Sequence, residues 1–398
     1  MKPVKPCTLI STVGTSLFSN LEHMIENSQK LNRNVMARGP ENLEWSVIDE
    51  ITRHYKLPNC KSLGRSLTKV PGDARLCGAE INSIYALAKK GQLDIWQIIF
   101  FVSDTEAGKH TGEVLTAYFE SCKDKLGLQN VKYCCIKNLQ DKCPRDFRTL
   151  GLRNLVREVG KVVQSVGDPS LVAIDATGGY KAQIAVAALI GVALDIDVYY
   201  RHDKFGEIIS FPPLPVTLDY GLIGRHGRLL HAFENGEILA EDEIGSIDEE
   251  LQVLLDQEEI DGKTYWALSP IGEIILTGFR LRYPRPVNLP DASKEERKEP
   301  TFPDHHYPKG FKDYVKNIWY KTPWITRCVA EDYSGQGSMT KNGFHLREEP
   351  GDNHSNFVII GTYVDNNGFA ARFKVLTTGT RHDDLVWAVV QLNQKFAS

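Results

Sequence analysis

Three short stretches hold residue types suited to gripping an anion: Gly14-Thr15-Ser16, Ser103-Asp104-Thr105-Glu106 and Asp175-Ala176-Thr177-Gly178-Gly179-Tyr180-Lys181. Glycine lets backbone N–H groups come close to a phosphate, and the hydroxyls of Thr15, Ser16 and Thr177 can donate to one. Lys181 adds positive charge where a helix begins, and a helix N-terminus already favours phosphate. Asp175 would orient its turn or accept from a base or ribose. Neither GxxxxGK[ST] nor GxGxxG occurs, so a nucleoside triphosphate or NAD is not indicated. No His/Cys/Asp/Glu cluster has metal-ligand spacing, so neither a metal nor a cofactor is expected.

The surrounding sequence supplies elements that would hold these turns. Residues 1–218 alternate apolar strand runs (CTLISTV, DIWQIIFFVSDT, VKYCCIKNL, LVAID) with helical patterns (NSIYALAKKG, TGEVLTAYFESCKDKLG, FRTLGLRNLVREVGKVVQSVG, QIAVAALIGVAL). IDVYYRHDKFGEIISF reads as a hairpin, and Pro212, Pro213 and Pro215 end the domain. Near-continuous apolar strands between helices predict an α/β fold, a Rossmann-like parallel sheet covered on both faces. In such a sheet ligands sit beyond the carboxyl ends of the strands, where all three polar turns fall.

The rest of the chain has a different texture. Residues 219–283 read as short helices, the polar turn DGK, an aromatic strand and a helix opened by Ser269-Pro270, the pattern of a winged helix-turn-helix. Residues 284–308 are proline-rich and charged, hence a linker. Residues 309–398 begin with the helix GFKDYVKNIWYK and continue as antiparallel strands with a final short helix, a small α+β domain.

Composition limits the function classes. The chain has 398 residues, 42% hydrophobic and 25% charged, and a net charge of −4, so it is globular with no overall field for nucleic acid. MKPVKPCTLISTVGTS lacks the apolar core of a signal peptide, and no segment reaches membrane-spanning length. Eight cysteines without a C-x-x-C fit free thiols in a reducing cytoplasm. A cytoplasmic protein without a membrane partner is expected.

The GTS turn after the first strand and D-x-T-G-G-x-K after a late one resemble CARF domains, the CRISPR-associated Rossmann-fold sensors. SDTEAGKHTGE and the FPPLPV exit add to the likeness, which spans residues 1–218. It implies a homodimer that binds a cyclic oligoadenylate, cyclic tetra-adenylate by the family's habit, across its twofold axis. The ring would meet Gly14, Thr15, Ser16, Thr177, Gly178, Gly179 and Lys181, with Asp104, Thr105 and Asp175 beside them.

A sensor needs an output. HEPN ribonucleases carry R-x4–6-H on a helix; the spacing from Arg347 to His354 is interrupted by Pro350, Gly351 and Asp352, which forbid a helix. The run V-L-T-T-G-T-R followed by V-W-A-V-V is instead similar to the end of RelE-type mRNA interferases, and FHLR resembles their basic strand. That resemblance implies a metal-independent endoribonuclease in which a 2′-hydroxyl attacks the neighbouring phosphate in the ribosomal A site. Carried over, Arg381 contacts phosphate, Arg347 closes the basic strand, and His345 stands where the family often has lysine and serves proton transfer. Lys341 and His382 are reserve candidates. Two positions depart from the family: Trp387 replaces a tyrosine and Val358 an arginine. Residues 301–398 are also nearly neutral, with 11 Lys+Arg against 10 Asp+Glu.

A rival from another class is a cyclic-oligoadenylate-responsive winged-helix transcription regulator. Residues 229–282 carry 13 acidic residues against Lys263, Arg280 and Arg282, a charge that repels DNA. A ring nuclease acting only on the messenger would leave the second half of the chain without a task. The expectation is therefore a type III CRISPR effector that cleaves mRNA on the ribosome. Its acidic middle domain would dock on a ribosomal protein, the mobile stalk being the best fit.

Overall fold

The computed structural model describes residues 5–57, 59–202, 206–212, 218–244, 247–283, 289–331, 341–349 and 356–397. His354 and the residues of FPPLPV beyond Pro212 lie outside them. The chain divides into two compact units, Met1–Val216 and Thr217–Ser398.

The first unit runs β1 (Thr8–Thr12), α1 (Ser16–Lys30), α2 (Trp45–Lys56), α3 (Cys60–Leu67), α4 (Gly78–Lys90), β2 (Gln97–Ser103), α5 (Glu106–Ser121) and α6 (Lys123–Leu126). β3 (Asn130–Ile136), α7 (Pro144–Asp146), α8 (Leu152–Val166), β4 (Val172–Asp175), α9 (Lys181–Leu194), β5 (Asp197–Arg201) and β6 (Ile208–Phe211) follow. The sheet order is β3-β2-β1-β4-β5-β6, parallel through β5, with β6 antiparallel as the closing hairpin arm. All five residues of β1 are buried, as a central strand covered on both faces requires. Helix ends follow local chemistry: α4 stops at Gly91, left-handed at φ 62°, and α8 at Gly167, φ 84°. Sequence periodicity passes over α1 to α3, whose buried faces (Leu17, Leu21, Ile48, Ile51, Leu63) cover this sheet's core.

The second unit begins with α10 (Gly221–Arg225), α11 (Gly227–Glu234), β7 (Leu239–Ala240), α12 (Glu241–Ile244) and α13 (Glu249–Gln252). Next come β8 (Leu255–Ile260), β9 (Lys263–Leu268) and α14 (Pro270–Arg282). These strands form an antiparallel sheet in the order β7-β9-β8. Ser269 caps α14, its hydroxyl accepting from the Gly272 amide at 3.1 Å. Leu255-Asp256-Gln257 extends into β8 rather than continuing a helix.

α15 (Phe311–Lys321), β10 (Ile325–Ala330), β11 (Gly343–Glu349), β12 (Asn356–Val364), β13 (Ala370–Thr377) and α16 (His382–Phe396) complete the unit, with an antiparallel sheet ordered β10-β13-β12-β11. One hydrophobic cluster joins Phe233, Leu268 and Phe279 to Phe311, Phe344, Phe373 and Val389. Residues 219–283 and 309–398 therefore share a core rather than standing as separate domains. The stretch read as a linker is also structured where described. Thr301 bridges Val329 in parallel, and the Lys298 and Thr301 amides donate to Thr326 and Cys328 carbonyls at 2.9 Å. Backbone pairing along a strand edge outweighs the local proline and charge content.

Candidate functional site

In the first unit the strand order reverses between β1 and β4: β2 and β3 lie to one side, β5 and β6 to the other. A crevice forms at such a reversal, beyond the strand ends. The GTS and TGG turns flank it. The Thr12 hydroxyl donates to the Gly178 carbonyl at 2.6 Å, and the Gly14 amide donates to Glu80 Oε1 at 2.7 Å. A Cβ on Gly14 would lie 2.9 Å from the Gly179 amide; one on Gly178 would strike Glu80 Oε1 and approach the Thr12 carbonyl to 2.7 Å. Gly179 sits at φ 98°, where L-residues are strained. Backbone contact between two turns is what these glycines serve.

Thr15, Ser16 and Lys181 are exposed where α1 and α9 begin. Thr15 occupies the N-cap of α1 but its side chain makes no capping bond. Two helix N-termini, two hydroxyls and one ammonium thus border the crevice, a set suited to phosphodiester oxygens.

Asp175 does not face outward. It is fully buried and accepts from Ser11 Oγ at 3.2 Å, Ser83 Oγ at 2.8 Å, Thr177 Oγ1 at 2.5 Å and the Thr177 amide at 3.3 Å. Of its two expected roles, orienting the turn is the one its burial allows. The Thr177 hydroxyl is committed too, since it also accepts from the Arg201 amide at 2.9 Å. Asp104 accepts from the Asn138 amide at 3.3 Å and from Cys135 Sγ at 3.4 Å, and pairs with Lys109 at 3.3 Å. That amide above all holds its carboxyl below the usual range. Thr105 caps α5, accepting from the Gly108 amide at 3.0 Å. Asp104 and Thr105 serve the turn after β2, across β1 from the reversal.

Glu80 and Ser83 of α4 and Arg201 of β5 were not legible as site residues, because no local motif marks a side chain that acts across the fold. Gln183 is another: its Oε1 takes the Tyr180 amide at 2.6 Å, while its buried Nε2 has no partner among the described residues.

Burial raises the Asp175 carboxyl from 3.8 to about 6 against the pull of its hydrogen bonds, Thr177's foremost. Between those values the folded chain binds more protons than the unfolded one, so this group's contribution to stability falls as pH rises from about 4 to 6. Ionisation costs on the order of 3 kcal/mol. Thermal unfolding of wild type and Asp175→Asn across that range should differ by this slope; parallel profiles would refute the burial argument.

In the second unit β11 and β13 alternate. Phe344, Leu346, Phe373 and Val375 face the core, while His345, Arg347, Arg372 and Lys374 share the other face through the pairings His345↔Ile360↔Lys374 and Gly343↔Thr362↔Arg372. Arg347 bonds Glu331 Oε2 at 3.0 Å and Glu349 Oε1 at 2.7 Å, and Lys374 bonds Glu349 Oε1 at 2.6 Å. Burial, with Arg228, Arg372, Arg347 and His226 nearby, pushes His345 down to about 4, so its ring is neutral at pH 7.

Sequence reasoning named His345 and Arg347 but not Arg372 and Lys374. The alternation ARFKV was their signal. Arg381 is not on this face; it is exposed at the N-cap of α16, 3.5 Å from Asp383. His382 packs against Phe357 at 4.5 Å, on the core-facing side, and Trp387 meets Trp324 edge-on. The G-x-R segment and final helix cover the apolar face, which separates Arg381 and His382 from His345. Lys341 precedes β11 and pairs with Glu237.

Residues 75–214 match the model of a family described as "CRISPR-associated protein (Cas_APE2256)". Among solved structures, the chain is similar to Can2 from Sulfobacillus thermosulfidooxidans, in complex with cyclic tetra-adenylate. The two share 11% identity over 71% of this chain and 72% of that one, with a TM-score of 0.21. No curated protein matches it. Among the described residues, no helix is long and apolar enough to cross a membrane.

Proposed function

We propose that the chain is a CRISPR effector in which a CARF sensor binds a cyclic oligoadenylate and a RelE-like sheet cleaves mRNA on the ribosome. The observation that carries the sensor half is the pair of glycine turns pressed together at the reversal between β1 and β4, with Thr15, Ser16 and Lys181 exposed beside them. The CRISPR-associated family match over residues 75–214 supports the same reading. Cyclic tetra-adenylate is the proposed activator, and a homodimer would offer the crevice twice to one ring.

The nuclease half is supported by the His345, Arg347, Arg372 and Lys374 face. Ribonucleolysis through the 2′-hydroxyl needs a proton acceptor and cations where charge develops on phosphorus, and a neutral imidazole among guanidinium groups offers both without a metal. The β7-β9-β8 sheet with its flanking helices supports a winged helix-turn-helix reading of residues 219–283. The deciding experiment incubates the full chain with ribosomes carrying a defined mRNA, adding cyclic tri-, tetra- and hexa-adenylate in turn. Cleavage with one ring size supports the proposal; intact mRNA with all three overturns it.

The acidic segment has a proposed partner as well. Glu249, Glu259 and the apolar Val253 and Ile238 are exposed there, a mixture suited to a basic, partly apolar protein surface such as the ribosomal stalk. Glu249→Lys with Glu259→Lys should weaken recruitment to ribosomes about tenfold in a salt-sensitive way. Stalk-depleted ribosomes should bind the wild type equally weakly. Equal binding in all arms would show that these carboxylates only solvate the surface.

A further inference from the structure

Two cations of the RelE-like sheet already hold an anion. Arg347 of β11 donates from Nη2 to Glu349 Oε1 at 2.7 Å, and Lys374 Nζ lies 2.6 Å from the same oxygen. The strands that carry them are not neighbours, since β12 runs between β11 and β13. One carboxylate oxygen therefore bridges two cationic side chains across three strands. Both cations line an open groove of about 580 Å³, together with Val329, Glu331 and Leu376. Lys374 also shares a line across the sheet with His345, through Ile360.

The two carboxylates of this cluster are placed differently. Glu331 extends β10: its amide donates to the Arg372 carbonyl at 2.9 Å, and its oxygens take both Nη atoms of Arg347, at 3.0 and 2.5 Å. Its side chain is only 18% exposed, and such a fork-to-fork pair fixes the guanidinium plane. Glu349 closes β11, an edge strand, and its side chain is 33% exposed, so solvent reaches it. Lys374, then Arg347, hold its carboxyl below the usual range, which keeps it charged. An ion pair open to water is weakly held and readily exchanged for another anion. A phosphodiester, like a carboxylate, offers two oxygens and one negative charge to guanidinium and ammonium groups. With two cations set against two carboxylates, the cluster has no net charge to draw an RNA strand.

We infer that Arg347 and Lys374 form a seat for one RNA phosphate, that the Glu349 carboxylate fills this seat while no RNA is bound, and that the incoming phosphate displaces it. The inference rests on the nuclease reading and deepens it, assigning Lys374 to substrate and Glu349 to its exclusion. The exchange makes and breaks no covalent bond: the carboxylate swings into water as the phosphate enters. Glu331 stays paired with Arg347 and keeps the guanidinium beside the groove. Free RNA must separate Glu349 from two cations by its own affinity, whereas mRNA held by a ribosome arrives at high effective concentration. Glu349 thereby suppresses cleavage of free transcripts without closing the face to mRNA on the ribosome.

The test uses the full chain and a single-stranded oligoribonucleotide with methylated 2′-hydroxyls, which binds without being cleaved. Its affinity is measured against salt for wild type, Glu349→Gln, Glu349→Gln with Lys374→Met, and Glu348→Gln. Glu348 is exposed one position along β11, on the opposite face of the strand, so it controls for net charge alone. Glu349→Gln should bind about tenfold tighter at about 50 mM salt, with a salt slope steeper by about 0.7, the amount one further phosphate contact adds on a single strand. Removing Lys374 as well should cancel that gain, and Glu348→Gln should match wild type. Wild-type affinity in Glu349→Gln, or an equal gain in Glu348→Gln, overturns the inference while leaving the nuclease reading intact. Cleavage of programmed ribosomes with activator is followed alongside. If the wild type leaves that mRNA intact, the nuclease reading fails and the binding arms alone decide the phosphate seat.

Discussion

Gly178→Ala is expected to abolish activation by cyclic oligoadenylate, with messenger affinity falling more than a hundredfold. The added Cβ would meet Glu80 Oε1 and lie 2.7 Å from the Thr12 carbonyl, so the β4–α9 turn must lift away from β1. That movement breaks the 2.6 Å bond from the Thr12 hydroxyl to Gly178 and separates the two helix N-termini that would share the ligand's phosphates. Overpacking at one buried position costs about 1–3 kcal/mol, small enough for the unit to stay folded. Calorimetric titration with cyclic tetra-adenylate, alongside a thermal melt, separates the two effects. Normal binding in a folded variant would show that the turns are not the ligand site.

Replacing the imidazole of His345 should produce the largest loss in the second unit. His345→Gln keeps polarity and approximate size but removes the proton acceptor, and such groups contribute about 10²–10⁴ in rate. Messenger binding should be unchanged, because His345 belongs to the other unit. A stability signature accompanies the loss. With the folded value near 4 and the ordinary value 6.5, the unfolded chain binds more protons between those limits. His345 therefore lends stability above pH 6.5, and that contribution is lost as pH falls towards 4. Acid titration of unfolding should show this slope in wild type and not in His345→Gln. Full cleavage by the variant would remove His345 from the mechanism.

The two units were unequally legible. β1, β2 and β4 are near-continuous apolar runs because both of their faces are covered, and α4 and α8 end at glycines, so composition reveals them directly. The glycine turns were legible for a related reason: glycine and hydroxyl residues directly after an apolar strand run are a pattern of neighbouring residues. Asp175 read either as orienting its turn or as a ligand contact, since a carboxylate at a strand end can do both; only packing of α4 against the sheet, which brings Ser83 within 2.8 Å, reveals that it faces inward.

In the second unit the motif TGTR drew attention to Arg381, but antiparallel pairing decides which side chains meet. A strand alternates faces with period two, so His345 joins Lys374 through Ile360, whereas the turn after β13 carries Arg381 and His382 onto α16. Sequence by itself determined the alternation of elements, the glycine turns and the acidic character of residues 229–282, since each is a property of neighbouring residues. Only the tertiary structure decided that Thr301 pairs beside β10, that Asp175 is buried, and that Arg228 reaches over Gly343. These depend on contacts between residues up to 164 positions apart, and local propensity carries no information about such partners.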